Sequence, residues 1–481
     1  MVLIDEDILL LDAATKDDLF LYGSETSSER SEGTETDRAA PTEVDTSSLF
    51  NFCNYCRTEG GEAVLRRRMD EPYARADSIQ QTQTALSFIL ENSDIFDALP
   101  SAYLAGSSER YIHENLPVVR QNNFIEFTSE AFSLWSGDDR FSIKISRGVE
   151  LTARLLESLE QFGEQFENTN SAVSGGALNE LLSEMQTLLQ REGLRNRPVA
   201  KSGQFFLKKM RVDQCFRLHE KSTIDRLLRL VYEIDALRSL ALVTQKHGFS
   251  LPEVIDPNTV ENPVSVEAEG LYHPFVPNAV GNPMVVDQSQ RVIFLTGPNM
   301  AGKTTYLRAA ATALFLAHLG MGVPATRFRF TPVQRLLTAI SLSDDLNDGI
   351  SYFRAEALRV KAVAQAVADG YRVVAIMDEP FKGTNVKDAF DASLAVLTRF
   401  AQKPDCLFMV SSHLIELSEH LAPDLHIGYF FFEAQEQAQK LGFDYLIQPG
   451  VSSQRLGMRV LQEEGIFSLL DAAKQPDDNK D

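Results

Sequence analysis

The stretch Gly297-Pro-Asn-Met-Ala-Gly-Lys303-Thr304 constrains this chain more than any other. It fits G-x-x-x-x-G-K-[ST], follows the strand-length run Val292–Leu295 and opens an apolar helical stretch through Leu307, Ala310 and Leu314. Glycines in that pattern let backbone N–H groups face phosphate oxygens at the positive end of a helix. The candidate phosphate-binding residues are Gly297, Pro298, Asn299, Met300, Ala301, Gly302, Lys303, Thr304 and Thr305. In such a loop the lysine reaches the β- and γ-phosphates and the threonine hydroxyl ligates Mg²⁺, so ATP and Mg²⁺ are the expected cofactors.

Two further strand-length runs carry polar residues at their ends. Arg372–Met377 delivers Asp378-Glu379, and Cys406–Ser411 delivers Ser412-His413. A carboxylate after a buried strand can hold Mg²⁺ and its neighbour can orient an attacking water. Asp378 is therefore expected at the metal with Thr304, and Glu379 at the water. His413, at the end of a third parallel strand, would point into the same crevice as a γ-phosphate sensor. Strand-length runs alternating with helical stretches after Phe249 predict an α/β domain with a largely parallel sheet.

The first half reads differently. Leu151, Leu155, Leu159, Phe162 and Phe166 recur at helical spacing, as do Ile224, Leu227, Leu228, Val231, Ile234, Leu237 and Ala241. An all-α domain over residues 1–250 is expected, then the α/β domain over 251–470 and a disordered tail over 471–481. Residues 1–50 hold thirteen acidic and three basic side chains, and within them 23–48 reads as a mobile acidic loop. From Arg191 to Arg229 eleven basic residues face four acidic ones. That stretch is either a solvated helix face or a surface for nucleic acid. The net charge of −22 over 481 residues excludes a uniformly basic nucleic-acid binder. Four cysteines form no disulfide framework, and Cys53-Asn-Tyr-Cys56 reads as two packed thiols rather than a metal or redox motif. No basic-then-apolar leader opens the chain and no apolar run is long enough to span a bilayer, so a cytoplasmic protein is expected. Trp135, the only tryptophan, reads as a core anchor.

The wording of these segments resembles the MutS DNA mismatch-repair family. Thr296–Arg308 is similar nearly letter for letter to that family's phosphate loop. Ser343-Asp-Asp-Leu346, Gly349-Ile-Ser-Tyr-Phe353 and Glu356 resemble its Ser-Asp-Asp-Leu and Gly-x-Ser-Thr-Phe-x-x-Glu segments. Asp378-Glu-Pro-Phe-Lys-Gly-Thr384 resembles Asp-Glu-x-x-Arg-Gly-Thr, and Ser412-His413 with Glu416-Leu417 resembles Thr-His-x-x-Glu-Leu. Leu271-Tyr-His-Pro274 resembles the opening of the family's ATPase domain. Leu11-Asp-Ala-Ala-Thr15 with Leu19, and Cys56-Arg-Thr-Glu-Gly-Gly61, resemble its helical lever.

The resemblance implies a helical lever or core domain followed by a P-loop ATPase domain of the ABC type, working as a homodimer. It implies that Ser351 acts in trans on the partner's nucleotide and that Asp388 is a dimer contact. Met284 stands where an aromatic commonly stacks on adenine. The chain as given starts at the lever, so no N-terminal mismatch-binding domain is expected. The expected function is a Mg²⁺-dependent ATPase acting on DNA in mismatch repair or recombination, without direct mismatch reading and with possible downstream repair partners. Lys201, Lys208, Lys209, Arg211, Arg217 and Lys221 are the candidate DNA contacts. The alternative is a nucleotide-switched assembly factor that has lost DNA binding.

Overall fold

A computed structural model describes residues 7–23, 47–137, 139–168, 176–195, 206–257, 264–341, 352–437, 440–452, 454, 461–462 and 464–472. Most of the acidic loop and of the tail lie outside the described residues. Two compact units emerge. The first gathers Phe20–Pro252 with Leu316–Val323. The second gathers Leu9–Leu19, Glu253–Phe315 and the chain from Pro324 onward.

The first unit is helical. Its central helix, Lys221–Lys246, buries Ile224, Leu227, Leu228, Val231, Ile234, Leu237 and Ala241, the residues that set the helical period in the sequence. Asp235 on this helix is buried, and its carboxylate accepts from the Thr58 N–H (2.9 Å) and hydroxyl (2.7 Å) and from the Arg57 N–H. Thr58 in turn caps Glu59–Asp70. The two helices touch so closely that a Cβ on Gly60 would fall 2.2 Å from the Tyr232 ring, which explains the Gly-Gly pair there. Trp135 is only half-buried, 5.9 Å from the Phe206 ring, because its helix Phe124–Gly137 leaves much of its apolar surface open. It is no core anchor.

The second unit carries β1 (Glu253–Val254), β2 (Val266–Leu271), β3 (Asn282–Val286), β4 (Val292–Thr296), β5 (Arg327–Phe330), β6 (Arg335–Ala339), β7 (Val373–Asp378), β8 (Cys406–Ser411), β9 (Ile427–Gln437) and β10 (Lys440–Pro449). One sheet runs β1-β5-β2-β3 and the other β10-β9-β4-β8-β7-β6. In the larger sheet β9, β4, β8, β7 and β6 pair in parallel and β10 returns antiparallel. β4 and β8 are buried at every position, as expected of parallel strands covered on both faces. Phe294, Met377, Phe408 and Val410 build the core with Leu397 and Phe400, whose ring stacks on Phe408 at 4.2 Å. The three runs singled out in the sequence are thus adjacent strands, in the order β4, β8, β7.

Residues 9–19 belong to this α/β unit, although by sequence they were grouped with the helical half. The reason is polar. Asp18 is buried and accepts from the Thr338 hydroxyl (2.6 Å) and from the N–H groups of Ile340 and Ser341 (2.9 and 2.7 Å). Asp12 pairs with Arg359 at 2.6 Å, and Leu10 bridges Arg335 on the sheet edge. Among the described residues no helix is long and apolar enough to cross a membrane.

Candidate functional site

The carboxyl end of β4 turns sharply at Gly297, whose φ of +138° suits glycine. A Cβ there would lie 2.6 Å from the Phe432 carbonyl oxygen, so the close approach of the next strand also demands glycine. Met300 (φ +68°) and Gly302 (φ +103°) complete a loop held out of ordinary backbone space, and Met300 is 80% exposed at its tip. The helix Lys303–His318 starts immediately after, so its first N–H groups open at the loop.

Lys303 is 5% exposed and donates to the carbonyls of Gly297 (2.9 Å) and Pro298 (3.1 Å). Its ammonium stands 3.9 Å from Glu379 Oε1. Burial lowers the lysine's pKa and the neighbouring Glu379 and Asp378 carboxylates oppose that shift. The Thr304 hydroxyl donates to Asp378 Oδ2 at 2.6 Å. Glu379 Oε1 accepts from His413 Nε2 at 2.6 Å. Burial alone would raise the Glu379 pKa, but the His413 bond and the charges of His413, Lys303 and Lys382 outweigh it and leave Glu379 below the usual carboxylate value. Glu379 also sits at φ +53°, in the left-handed region unusual for a residue with a side chain.

Glu356 holds the chain after this carboxylate pair. It is 1% exposed and accepts from the N–H groups of Lys382 (3.1 Å) and Gly383 (3.0 Å). Thr304 and Asp378 offer a hydroxyl and a carboxylate oxygen in contact with one another. Hard oxygen donors in that number suit Mg²⁺, which keeps waters and takes its remaining ligands from a substrate phosphate. Among the described residues no group of three or more His, Cys, Asp and Glu side chains is arranged to hold a metal by itself. The residues present therefore fit a cation arriving with nucleotide.

The structure thus brings together Lys303, Thr304, Asp378, Glu379 and His413. Asp388 is exposed at the start of the helix Val386–Phe400, where its N–H donates to Asn385 Oδ1 at 3.0 Å. Ser351 and the Ser343–Leu346 segment lie outside the described residues, as does Lys201. Met284 is 2% exposed within β3 and is unable to stack on a base. The ring beside the loop is Tyr445, 45% exposed, with Cδ1 3.3 Å from where a Gly302 Cβ would stand. Asn282 fixes it, donating to the Tyr445 carbonyl (2.9 Å) and accepting from the Ile447 N–H (2.8 Å). Sequence reading missed Tyr445 because it lies on an irregular stretch of β10 with no motif around it.

Of the candidate DNA contacts, Arg217 requires correction. It is buried, and its guanidinium donates to Asp213 (2.6 and 2.7 Å) and to the carbonyls of Leu116 and Pro117 (2.9 and 3.0 Å). With four of its five N–H donors used and the side chain 4% exposed, this guanidinium is closed to a phosphate. Arg211 lies over the Phe127 ring at 3.6 Å and donates to Gln214, while Lys209 donates to Ser146 at 3.0 Å. Lys208 is exposed and Lys221 half-buried.

His273, of the Leu-Tyr-His-Pro segment, is 9% exposed, and its Nδ1 accepts from the Phe275 N–H at 3.2 Å. Burial, with the Arg308 charge, lowers its pKa from 6.5 to about 4. The unfolded chain then binds a proton that the folded chain refuses. Stability is full above pH 6.5 and falls as pH drops from there toward about 4. The expected loss is about 3 kcal/mol across that window. Urea denaturation at pH 7 and pH 4.5 measures it, and His273→Gln should show a smaller acid loss than the parent; an equal loss would assign the effect to other groups.

A glycine-rich strand-to-helix turn at the carboxyl end of a mainly parallel sheet, with two carboxylates arriving at the end of β7 and a histidine after β8, is a layout able to hold a nucleotide's phosphates and a cation. Residues 293–477, under half of the chain, match the family model described as MutS domain V. MutS domain V is the ATPase domain of MutS-family proteins.

Proposed function

We propose that the chain is a Mg²⁺-dependent ATPase of the MutS family that works as a homodimer in the cytoplasm and acts on DNA in mismatch repair or recombination. The observation that carries the ATPase reading is the convergence of Lys303, Thr304, Asp378, Glu379 and His413 at the ends of three adjacent parallel strands. Loop N–H groups and Lys303 bind the phosphates, and Thr304 and Asp378 hold the cation. When bound, Mg²⁺ neutralises charge on the phosphate oxygens. Glu379 accepts a hydrogen bond from the attacking water and directs it along the line of displacement. His413 Nε2 keeps the Glu379 carboxylate turned toward that position. Tyr445 covers the base side of the loop. Ser351 acts in trans on the partner copy's nucleotide, and Asp388 is a dimer contact.

DNA contact in this reading rests on Lys208, Lys209, Arg211 and Lys221. ATP turnover with and without homoduplex, mismatched and branched DNA, across a salt series, tests it, alongside molecular mass with and without ATP. Lys208→Glu combined with Lys221→Glu should leave basal turnover intact, weaken DNA stimulation and flatten the log–log salt slope by about 1 per lost cation. One observation favours the second reading, a nucleotide-switched assembly factor. Among the described residues, two cations of the basic stretch are held by carboxylates within the helical unit, Arg217 by Asp213 and Arg226 by Glu184 through two 2.6 Å bonds. Equal turnover with and without every DNA form would establish that alternative.

A further inference from the structure

Ser411 ends β8, a strand otherwise apolar from Cys406 to Val410, and it is fully buried. A buried hydroxyl needs partners, and this one finds them in the two acidic residues across the sheet. Ser411 stands in register with Asp378 on β7, so the two side chains leave the sheet side by side. The Ser411 hydroxyl donates to Asp378 Oδ1 and accepts from the Glu379 N–H at 3.0 Å. With Oδ2 taken by Thr304, both oxygens of Asp378 are fixed. The second bond meets Glu379 at its left-handed backbone, where φ is +53° and where nothing intrinsic to glutamate favours the turn.

We infer that Ser411 is a positioning residue for ATP hydrolysis: one hydroxyl sets the rotamer of the metal-side carboxylate and the main-chain turn that aims the water-side carboxylate. A hydroxyl has a single proton, so donation to Asp378 leaves its oxygen to accept from Glu379. The two acidic residues are thereby oriented as a unit rather than separately. The inference rests on the ATPase reading above and adds to it a residue that neither the loop motif nor the Asp-Glu pair contains. Ser411→Ala removes the link without threatening the strand, because the Glu379 N–H also reaches the Ser411 carbonyl at 3.2 Å.

The test uses the full chain. ADP affinity is measured with and without Mg²⁺, steady-state ATP turnover is measured in parallel, and thermal melting monitors the fold. In Ser411→Ala, Mg²⁺-free ADP affinity and melting should match the parent. The gain in ADP affinity on adding Mg²⁺ should shrink about tenfold, and kcat should fall about tenfold with KM little changed. A folded variant with the parent's kcat and the parent's Mg²⁺ gain overturns the inference. So does a variant that loses melting temperature and Mg²⁺-free affinity together, since the hydroxyl would then serve the fold alone. Failure of the ATPase reading shows separately, in a parent chain that neither binds ADP nor turns over ATP, and it removes the inference with it.

Discussion

Glu379→Gln is expected to bind ATP with the parent's affinity and to hydrolyse it about 10²- to 10⁴-fold more slowly, the range attributed to a positioned proton acceptor. The amide keeps the shape of the carboxylate, and its oxygen can still accept from His413 Nε2, which lies 2.6 Å from Oε1 in the parent. It loses the charge that draws the proton of an attacking water. The phosphate loop and Lys303 are untouched, so binding should survive and the nucleotide-bound dimer should accumulate. Lys303→Ala gives the opposite signature. It removes the ammonium that donates to the Gly297 and Pro298 carbonyls at the centre of the loop, and nucleotide binding itself should disappear. Equilibrium binding of a fluorescent ATP analogue, single-turnover hydrolysis and molecular mass separate the two. Hydrolysis by Glu379→Gln at the parent rate would show that another group orients the water.

In the helical unit the largest effect belongs to Arg217→Ala, which should cost about 3–5 kcal/mol of stability. The side chains of Asp213 and Arg217 are 0% and 4% exposed and form a two-point ion pair one helical turn apart. Tyr111 adds its hydroxyl to Asp213 Oδ1 at 2.6 Å, and burial, followed by the Asp213 charge, raises the phenol well above its usual pKa. Removing the guanidinium strands a buried carboxylate and leaves the Leu116 and Pro117 carbonyls short of a donor. Replacing both partners with apolar residues, as in Asp213→Leu with Arg217→Met, should recover most of the loss, because no buried charge then remains. Urea denaturation of the parent, the single variant and the double variant checks the set. A loss below about 1 kcal/mol for Arg217→Ala would place the residue at the solvent-facing surface expected from sequence.

That misplacement of Arg217 shows where sequence reading reaches its limit. A basic residue in a basic stretch looks available for phosphate. Asp213 stands one helical turn before it, a spacing at which ion pairs are usually exposed and weak. What makes it buried is Tyr111, 102 residues earlier, together with the loop carbonyls of 116 and 117. Residues 9–19 follow the same logic. Their helical lettering resembles a lever, yet Asp18 is claimed by Thr338, 320 residues away.

The sequence by itself determined the strands β4, β7 and β8, the glycine loop and the helical first half, and it singled out Lys303, Thr304, Asp378, Glu379 and His413, which the fold brings together. Each of these follows from burial periodicity or backbone freedom, properties written within a few neighbouring residues. Tertiary structure alone decided which cations are spent on buried carboxylates, which unit the first residues join, that Met284 is buried while Tyr445 faces the loop, and that Ser411 ties the two acidic residues together. Those outcomes depend on which hydrogen-bond partner lies across a strand or helix boundary. Chain order carries no local mark of such a partner, because desolvated polar groups pair with whatever the fold brings within about 3 Å.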